Sequence, residues 1–142
     1  MRAQFVIILS CLLAACGNKA SSDAIESPLE GRAGNAVEGG VKFASRESGH
    51  CVLCHKVDGL GAEFQGNLGP DLSAVGSRLT PAQLRLRIVD YDRVVAGTTM
   101  PSYYRTEELN QVAPEFAGKT LLSAQDIEDI IAYLSSLKDS EL

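Results

Sequence analysis

Small and apolar residues recur at helical spacing in three parts of the chain, and no stretch alternates as a half-buried strand would. The first part is residues 35–46, where Val37, Gly40, Val41 and Ala44 lie at i, i+3, i+4 and i+7. Gly39 and Gly40 weaken a helix locally but let another helix come close. The second part opens on Thr80-Pro81-Ala82-Gln83 and runs to about Tyr91. Thr at the N-cap, Pro at the first helical position and Gln three residues after the cap form a capping box. Leu84, Ile88 and Tyr91 then share one face. The third part begins at Ser123, with Asp126 completing its cap and Ile127, Ile130, Ile131 and Leu134 as its stripe. Asp126, Glu128 and Asp129 read as the acidic first turn and solvated face of that helix. Residues 59–76 are glycine-rich and predict mostly irregular chain. The expected fold is mainly α, with long loops.

The N-terminus has a different pattern. Met1-Arg2 precedes an apolar run over residues 5–13, too short to span a bilayer and suited to a signal peptide. The run ends in Leu13-Ala14-Ala15-Cys16, which resembles the bacterial lipobox. The resemblance implies residues 1–15 as a cleaved lipoprotein signal and a diacylglyceride on the Cys16 thiol. Gly17-Asn18 follow, with no Asp beside Cys16, which by the same analogy implies the outer membrane, on its periplasmic side. The alternative is ordinary cleavage, with Cys16 discarded or left free. Residues 16–34 are rich in small and charged side chains and predict a lipid-anchored flexible tether. Residues 35–142 are the expected domain, a size that suits one core.

Charge and cysteine count narrow the classes. The chain of 142 residues carries 13 Lys and Arg against 18 Asp and Glu, a net charge of −5. That balance argues against a nucleic-acid partner, which needs a basic surface. Of the 4 cysteines, Cys11 falls in the leader and Cys16 at the processing site. No disulfide framework remains, so a domain this small needs another staple.

The other two cysteines supply one. Cys51-Val52-Leu53-Cys54-His55 is the C-x-x-C-H attachment signature of c-type haem. Two thiols at this spacing form thioethers to the two vinyl groups of one porphyrin, and the following imidazole then reaches the iron. A zinc site needs four ligands, but only His50 is left to offer, and it adjoins the motif. A thioredoxin-type pair should follow a strand, and none is predicted here. The expected cofactor is one covalent haem c, with an apoprotein that folds poorly. Without Met1, Met100 is the only methionine. It precedes Pro101 in a loop between two helices, where the proline disfavours helix and stiffens the chain. Met100 is the candidate sixth ligand, from the haem set of His, Met, Cys and Tyr. Its alternative is packing on the haem edge or core. His50 is expected near the haem rim. No Ser-His-Asp or paired-carboxylate set is visible, so no catalytic residue is assigned.

At this point the layout resembles a class I cytochrome c: a helix before C-x-x-C-H, a terminal helix crossing it, and a late Met-Pro loop. Gly69-Pro70-Asp71-Leu72 resembles that family's proximal proline turn, which implies that the Pro70 carbonyl accepts the Nδ1–H of His55. Gly39, Gly40 and Phe43 facing Ile130 and Tyr133 resemble its helix crossing. Gly66-Asn67-Leu68-Gly69-Pro70-Asp71-Leu72, residues 83–90, Met100-Pro101-Ser102-Tyr103-Tyr104-Arg105 and Val112-Ala113-Pro114 together resemble the SoxX family. These are the monohaem subunits of the SoxAX complex, an L-cysteine S-thiosulfotransferase of bacterial sulfur oxidation. The resemblance implies a SoxA partner that hosts the bond-forming chemistry, and thiosulfate joined oxidatively to a cysteine of the SoxYZ carrier. It also implies a non-catalytic electron-transfer role for this chain, with an external cytochrome c as acceptor.

Two readings stay open. The connection from Met100 to Leu122 is long, and long loops in compact domains tend to be functional. Its Tyr103, Tyr104, Arg105, Val112, Pro114 and Phe116 either cover the haem and dock a partner or only close the distal pocket. Arg78, Arg85 and Arg87 are candidates for haem propionates or for helix surface charges. The other function classes are a generic lipid-anchored electron carrier for a membrane oxidase or reductase, and a haem sensor or peroxidase with an exchangeable distal site.

Overall fold

In the computed structural model, which describes residues 23–109 and 111–139, the chain forms four helices joined by long loops. They are α1 (Ala36–Ala44), α2 (Val75–Arg78), α3 (Pro81–Asp90) and α4 (Ala124–Ser136). No β-strand occurs among the described residues. The caps follow the sequence. The Asn35 side chain accepts from the amides of Val37 and Glu38, and the Thr80–Gln83 and Ser123–Asp126 capping boxes are both formed. Each such cap satisfies backbone donors that the first turn leaves without partners, worth about 1 kcal/mol. The glycine-rich stretch is irregular except for α2, a single helical turn.

α1 crosses α4 where glycine permits it. A Cβ on Gly39 would collide with the carbonyl of Asp129, so the two backbones approach more closely than any side chain allows. One turn along, the Phe43 and Tyr133 rings meet with centroids 5.7 Å apart and planes tilted by 53°. The α4 stripe of Ile127, Ile130, Ile131 and Leu134 joins Phe43, Val75, Leu84 and Ile88 in one buried core. Val57, Tyr103 and Leu122 enter the same core from the loops. Each large apolar side chain buried here contributes roughly 1.5–3 kcal/mol.

The other flank of α4 departs from the sequence expectation. Glu128 and Asp129 are buried, and neither lies on a solvated face. Arg85 is buried too; it is neither a surface charge nor a propionate partner. Its Nε and Nη2 donate to the two Glu128 oxygens at 2.7 and 2.9 Å, while Nη1 donates to the Ile25 carbonyl at 2.6 Å. Glu128 also accepts the Leu29 amide at 2.9 Å, and Asp129 accepts the Asn35 amide at 2.8 Å. Ile25 donates its own amide to the Ala82 carbonyl at 3.0 Å. Chain expected to belong to the tether is therefore bound to the body from Ile25 onward. A charged helix face reads as solvated only if nothing lies across it, and here the preceding segment does. Asp126 does sit in the first turn, where it pairs with Lys42.

Candidate haem site

The C-x-x-C-H segment is a single tight turn. His50 enters it in the left-handed region, with φ 58°, and Cys51–Leu53 forms one 3-10 turn. The amides of Cys54 and His55 both donate to the Cys51 carbonyl, at 3.1 and 2.9 Å. This coiling puts Cys51, Cys54 and His55 on the wall of one cavity of about 210 Å³. His50 lies at its edge and is exposed, as a rim residue should be. Both thiols are unpaired. Burial pushes the Cys51 thiol up to about 12, whereas a redox-active or metal-binding cysteine needs the thiolate. Among the described residues no group of three or more His, Cys, Asp or Glu side chains could share a metal ion.

The loop over residues 66–72 fixes the histidine. The Gly66, Gly69 and Leu72 amides donate to the carbonyls of Val52, Cys54 and Lys56 at 2.9, 2.8 and 2.9 Å. Pro70 is held between two of these bonds, and its carbonyl lies 2.8 Å from His55 Nδ1. An Nδ1–H donating there sets the tautomer and leaves Nε2 free for a metal. Gly69 lies flat against the imidazole; a Cβ there would run into Cε1 and Nδ1. The next residue, Asp71, has its carboxyl held below the usual range, first by the Ser73 hydroxyl and also by Lys56. The Asp71 carbonyl accepts from Arg78 at 3.1 Å.

Met100 lines the same cavity as the two thiols and His55. A second, largely apolar cavity of about 360 Å³ shares His55, Pro70, Tyr91 and Met100 with the first. It extends to Leu84, Ile88 and Leu134, and Arg78 and Arg87 stand in its wall. The adjoining spaces offer what a covalent porphyrin requires: two free thiols, an oriented imidazole, a thioether, an apolar slot and two guanidinium groups. The site residues chosen from sequence, Cys51, Cys54, His55, Pro70 and Met100, thus come together. Arg85 is the candidate that does not. Cys16 lies outside the described residues.

The Met100–Leu122 connection divides in two. Tyr103 is buried beneath the cavity, where burial pushes its hydroxyl pKa upward. Arg105 turns inward, its Nη1 3.5 Å from Asp90 and 3.7 Å from Asp92. Residues 111–121 are all exposed, including Val112, Phe116 and Leu121. The sequence reading missed Asp90, whose only signal was a carboxylate at the end of a capped helix.

Comparison with known proteins agrees with this geometry. The family model described as cytochrome c matches residues 37–138. The crystal structure of SoxXA from P. pantotrophus contains a chain that superposes with a TM-score of 0.76 at 35% identity, covering 83% of this chain and 92% of that one. The c-type cytochrome SorU from Sinorhizobium meliloti is a weaker likeness, with a TM-score of 0.48, 18% identity, and coverage of 72% and 90%. No curated protein sequence matches. Covalent haem c is the cofactor that the family match and the SoxXA likeness imply, with Cys51 and Cys54 in the attachment positions and His55 beside them. A turn that presents both thiols and an imidazole to one apolar slot, on a helical body of this topology, belongs to the cytochrome c family, and within it the chain is of the SoxX type.

Proposed function

We propose that this chain is the electron-transfer subunit of a thiosulfate-oxidising SoxAX complex. The observation that carries the reading is the likeness to SoxXA, taken with the shared cavity of His55 and Met100. Cys51 and Cys54 would hold the porphyrin, and His55 Nε2 and the Met100 sulfur would hold its iron. The bound haem supplies one-electron oxidation and reduction at a potential raised by the thioether. The chain's own residues do the rest. Pro70 orients His55 through the 2.8 Å bond, and Leu84, Ile88 and Leu134 keep water from the slot. Arg78 and Arg87, in the wall of the slot, would pair with the propionates. An iron held by His55 and Met100 together would leave thiosulfate no place to bind.

Bond formation therefore belongs to the SoxA partner, where thiosulfate is conjugated through a sulfur–sulfur bond to the SoxYZ carrier cysteine. Two electrons leave in that step and pass through this subunit singly to an external cytochrome c. The exposed segment 111–121, with Val112, Phe116 and Leu121, is the docking surface for SoxA. Lipidation of Cys16 holds the complex at the periplasmic face of the outer membrane.

A second reading, a lipid-anchored carrier serving a membrane oxidase or reductase, draws on Leu13-Ala14-Ala15-Cys16. Pull-down of the matured holoprotein from native extract, with thiosulfate then added, separates the two. Recovery of a second cytochrome and thiosulfate-dependent reduction of the haem are expected. Recovery alone, with no reduction by thiosulfate, overturns the first reading. Mass spectrometry of the N-terminus in the same sample tests the anchor.

A further inference from the structure

Little regular structure holds Met100 in place. Its amide donates to the Thr98 hydroxyl at 3.1 Å, and Thr98 donates to the Val95 carbonyl at 3.2 Å. The next backbone anchors come at Tyr103 and Tyr104, whose amides donate to the Ile88 and Val89 carbonyls at 3.1 and 3.3 Å. Two carboxylates at the end of α3 span the gap. Asp92 Oδ1 accepts the Gly97 amide at 2.9 Å, before the methionine. Asp90 Oδ1 accepts the Ser102 hydroxyl at 2.8 Å, after it. The Arg105 guanidinium lies between the two carboxylates, 3.5 Å from Asp90 and 3.7 Å from Asp92. The Asp90 side chain is only 9% exposed, and Arg105 Nε is buried with no hydrogen-bond partner among the described residues. That orphaned donor is a cost accepted to keep the guanidinium between its carboxylates.

We propose that Asp90, with Asp92, Ser102 and Arg105, is a clamp that positions Met100, and that Asp90 is its centre. The inference rests on the reading of Met100 as the axial ligand. A neutral thioether binds iron weakly and competes with water and added anions, so the entropy of its loop decides how often the bond opens. Hydrogen bonds to a charged acceptor are the strong ones, and shielding from water strengthens them further. The clamp is therefore a device against ligand exchange. It lies outside the slot and acts on the iron only through the loop.

The test uses ferric holoprotein and cyanide as the probe. The Asp90→Ala variant should bind cyanide roughly tenfold faster than wild type or more, as expected for loss of a charged hydrogen bond. Its sulfur-to-iron charge-transfer band should weaken in parallel. Asp90→Asn keeps an acceptor for Ser102 and should fall between the two. A merely structural role would lower the melting temperature and leave cyanide binding at the wild-type rate. Met100→Ala is the reference. If it binds cyanide fast while Asp90→Ala matches wild type, the clamp is wrong and the ligand assignment stands. If Met100→Ala itself matches wild type, the ligand assignment fails and takes the clamp with it. Should Asp90→Ala yield no holoprotein, the pair Ser102→Ala and Asp92→Ala carries the same expectation on more accessible groups.

Discussion

Arg85 and Glu128 meet through two parallel hydrogen bonds, Nε to Oε1 at 2.7 Å and Nη2 to Oε2 at 2.9 Å, with side chains only 5% and 3% exposed. The pair joins α3 to α4 and also binds the segment before α1, through the Ile25 carbonyl and the Leu29 amide. One buried contact thus ties three parts of the chain. Truncating one partner strands a buried charge, which costs about 3–5 kcal/mol. Glu128→Ala should therefore lower the stability of the holoprotein by that amount in urea unfolding. It should also make the chain near Ile25 a new site of protease cleavage. Replacing both residues together with apolar ones of similar volume should cost far less.

The helices, their caps and the haem-binding residues were legible in the sequence because each depends on local chemistry. Thr80 with Gln83, Ser123 with Asp126, and the thiols with His55 act within a few residues of one another. Met100, which the structure puts in the wall of the same cavity, was singled out for a different reason, the lack of any competing methionine. The Arg85–Glu128 pair was not legible, since the partners are 43 residues apart and nothing local marks Glu128 as buried. With Asp126 and Asp129 beside it, it looks like part of an exposed acidic face until the segment from Ile25 is laid across it. Asp90 was hidden in the same way, because its partners Ser102 and Arg105 lie in a loop without periodicity.

Gly69→Ala tests the packing against His55. The new methyl group would collide with the imidazole, so the ring must tilt or the 66–72 loop must lift. Either movement lengthens the 2.8 Å bond from Nδ1 to Pro70. The expected outcome is a holoprotein destabilised by roughly 1–3 kcal/mol, with an altered visible spectrum. A wild-type spectrum together with wild-type stability would show that the loop has slack the structure does not suggest.

The Lys42–Asp126 pair sets a pH dependence. Burial draws the Asp126 carboxyl upward, but hydrogen bonds from Lys42 and Ser123 outweigh it and hold the group below its usual range. A hydrogen bond to Asp126 holds Lys42 above its own range. A depressed carboxylate stabilises the fold above its unfolded value and loses that contribution as pH falls through the folded one. A raised lysine contributes below its unfolded value and loses it as pH rises through the folded one. Lys42→Met, which leaves the Ser123 cap intact, should thus be less stable than wild type at neutral pH. The gap should narrow as pH falls below about 4, the ordinary carboxylate value, and close as the depressed Asp126 itself protonates. Urea midpoints across pH 3–8, a range chosen around the ordinary carboxylate value, are the measurement.

Removal of the haem should unfold much of the domain. Leu84, Ile88 and Leu134 line the slot as well as the core, so an empty slot faces them toward water at roughly 25 cal/mol per Å² of apolar surface. A chain with no disulfide among its described residues and a body this small has little to set against that loss. Cys51→Ala with Cys54→Ala, expressed under the same maturation conditions, should retain part of the far-ultraviolet helical signal and lose near-ultraviolet tyrosine dichroism. A cooperative thermal transition like that of the holoprotein would argue that the four helices pack without their cofactor.

The exposed segment 111–121 gives the sharpest test of the proposed assembly. Phe116 is 54% exposed and Leu121 50%; Phe116 ends the last 3-10 turn, Pro114–Phe116, and Leu121 follows it. Neither contributes to the buried core, so their substitution should leave the haem and the fold alone. Aromatic anchors at the centre of an interface cost 2 kcal/mol or more when truncated, about 30-fold in affinity. Phe116→Ser should therefore weaken binding to SoxA by roughly that factor in calorimetry, with an unchanged spectrum and melting temperature. Arg105→Gln should behave in the opposite way, because its guanidinium faces Asp90 and Asp92: partner affinity is kept and cyanide binding quickens. If Phe116→Ser binds as wild type does and Arg105→Gln loses the partner, the docking surface lies on the clamp side of the loop and 111–121 only closes the domain.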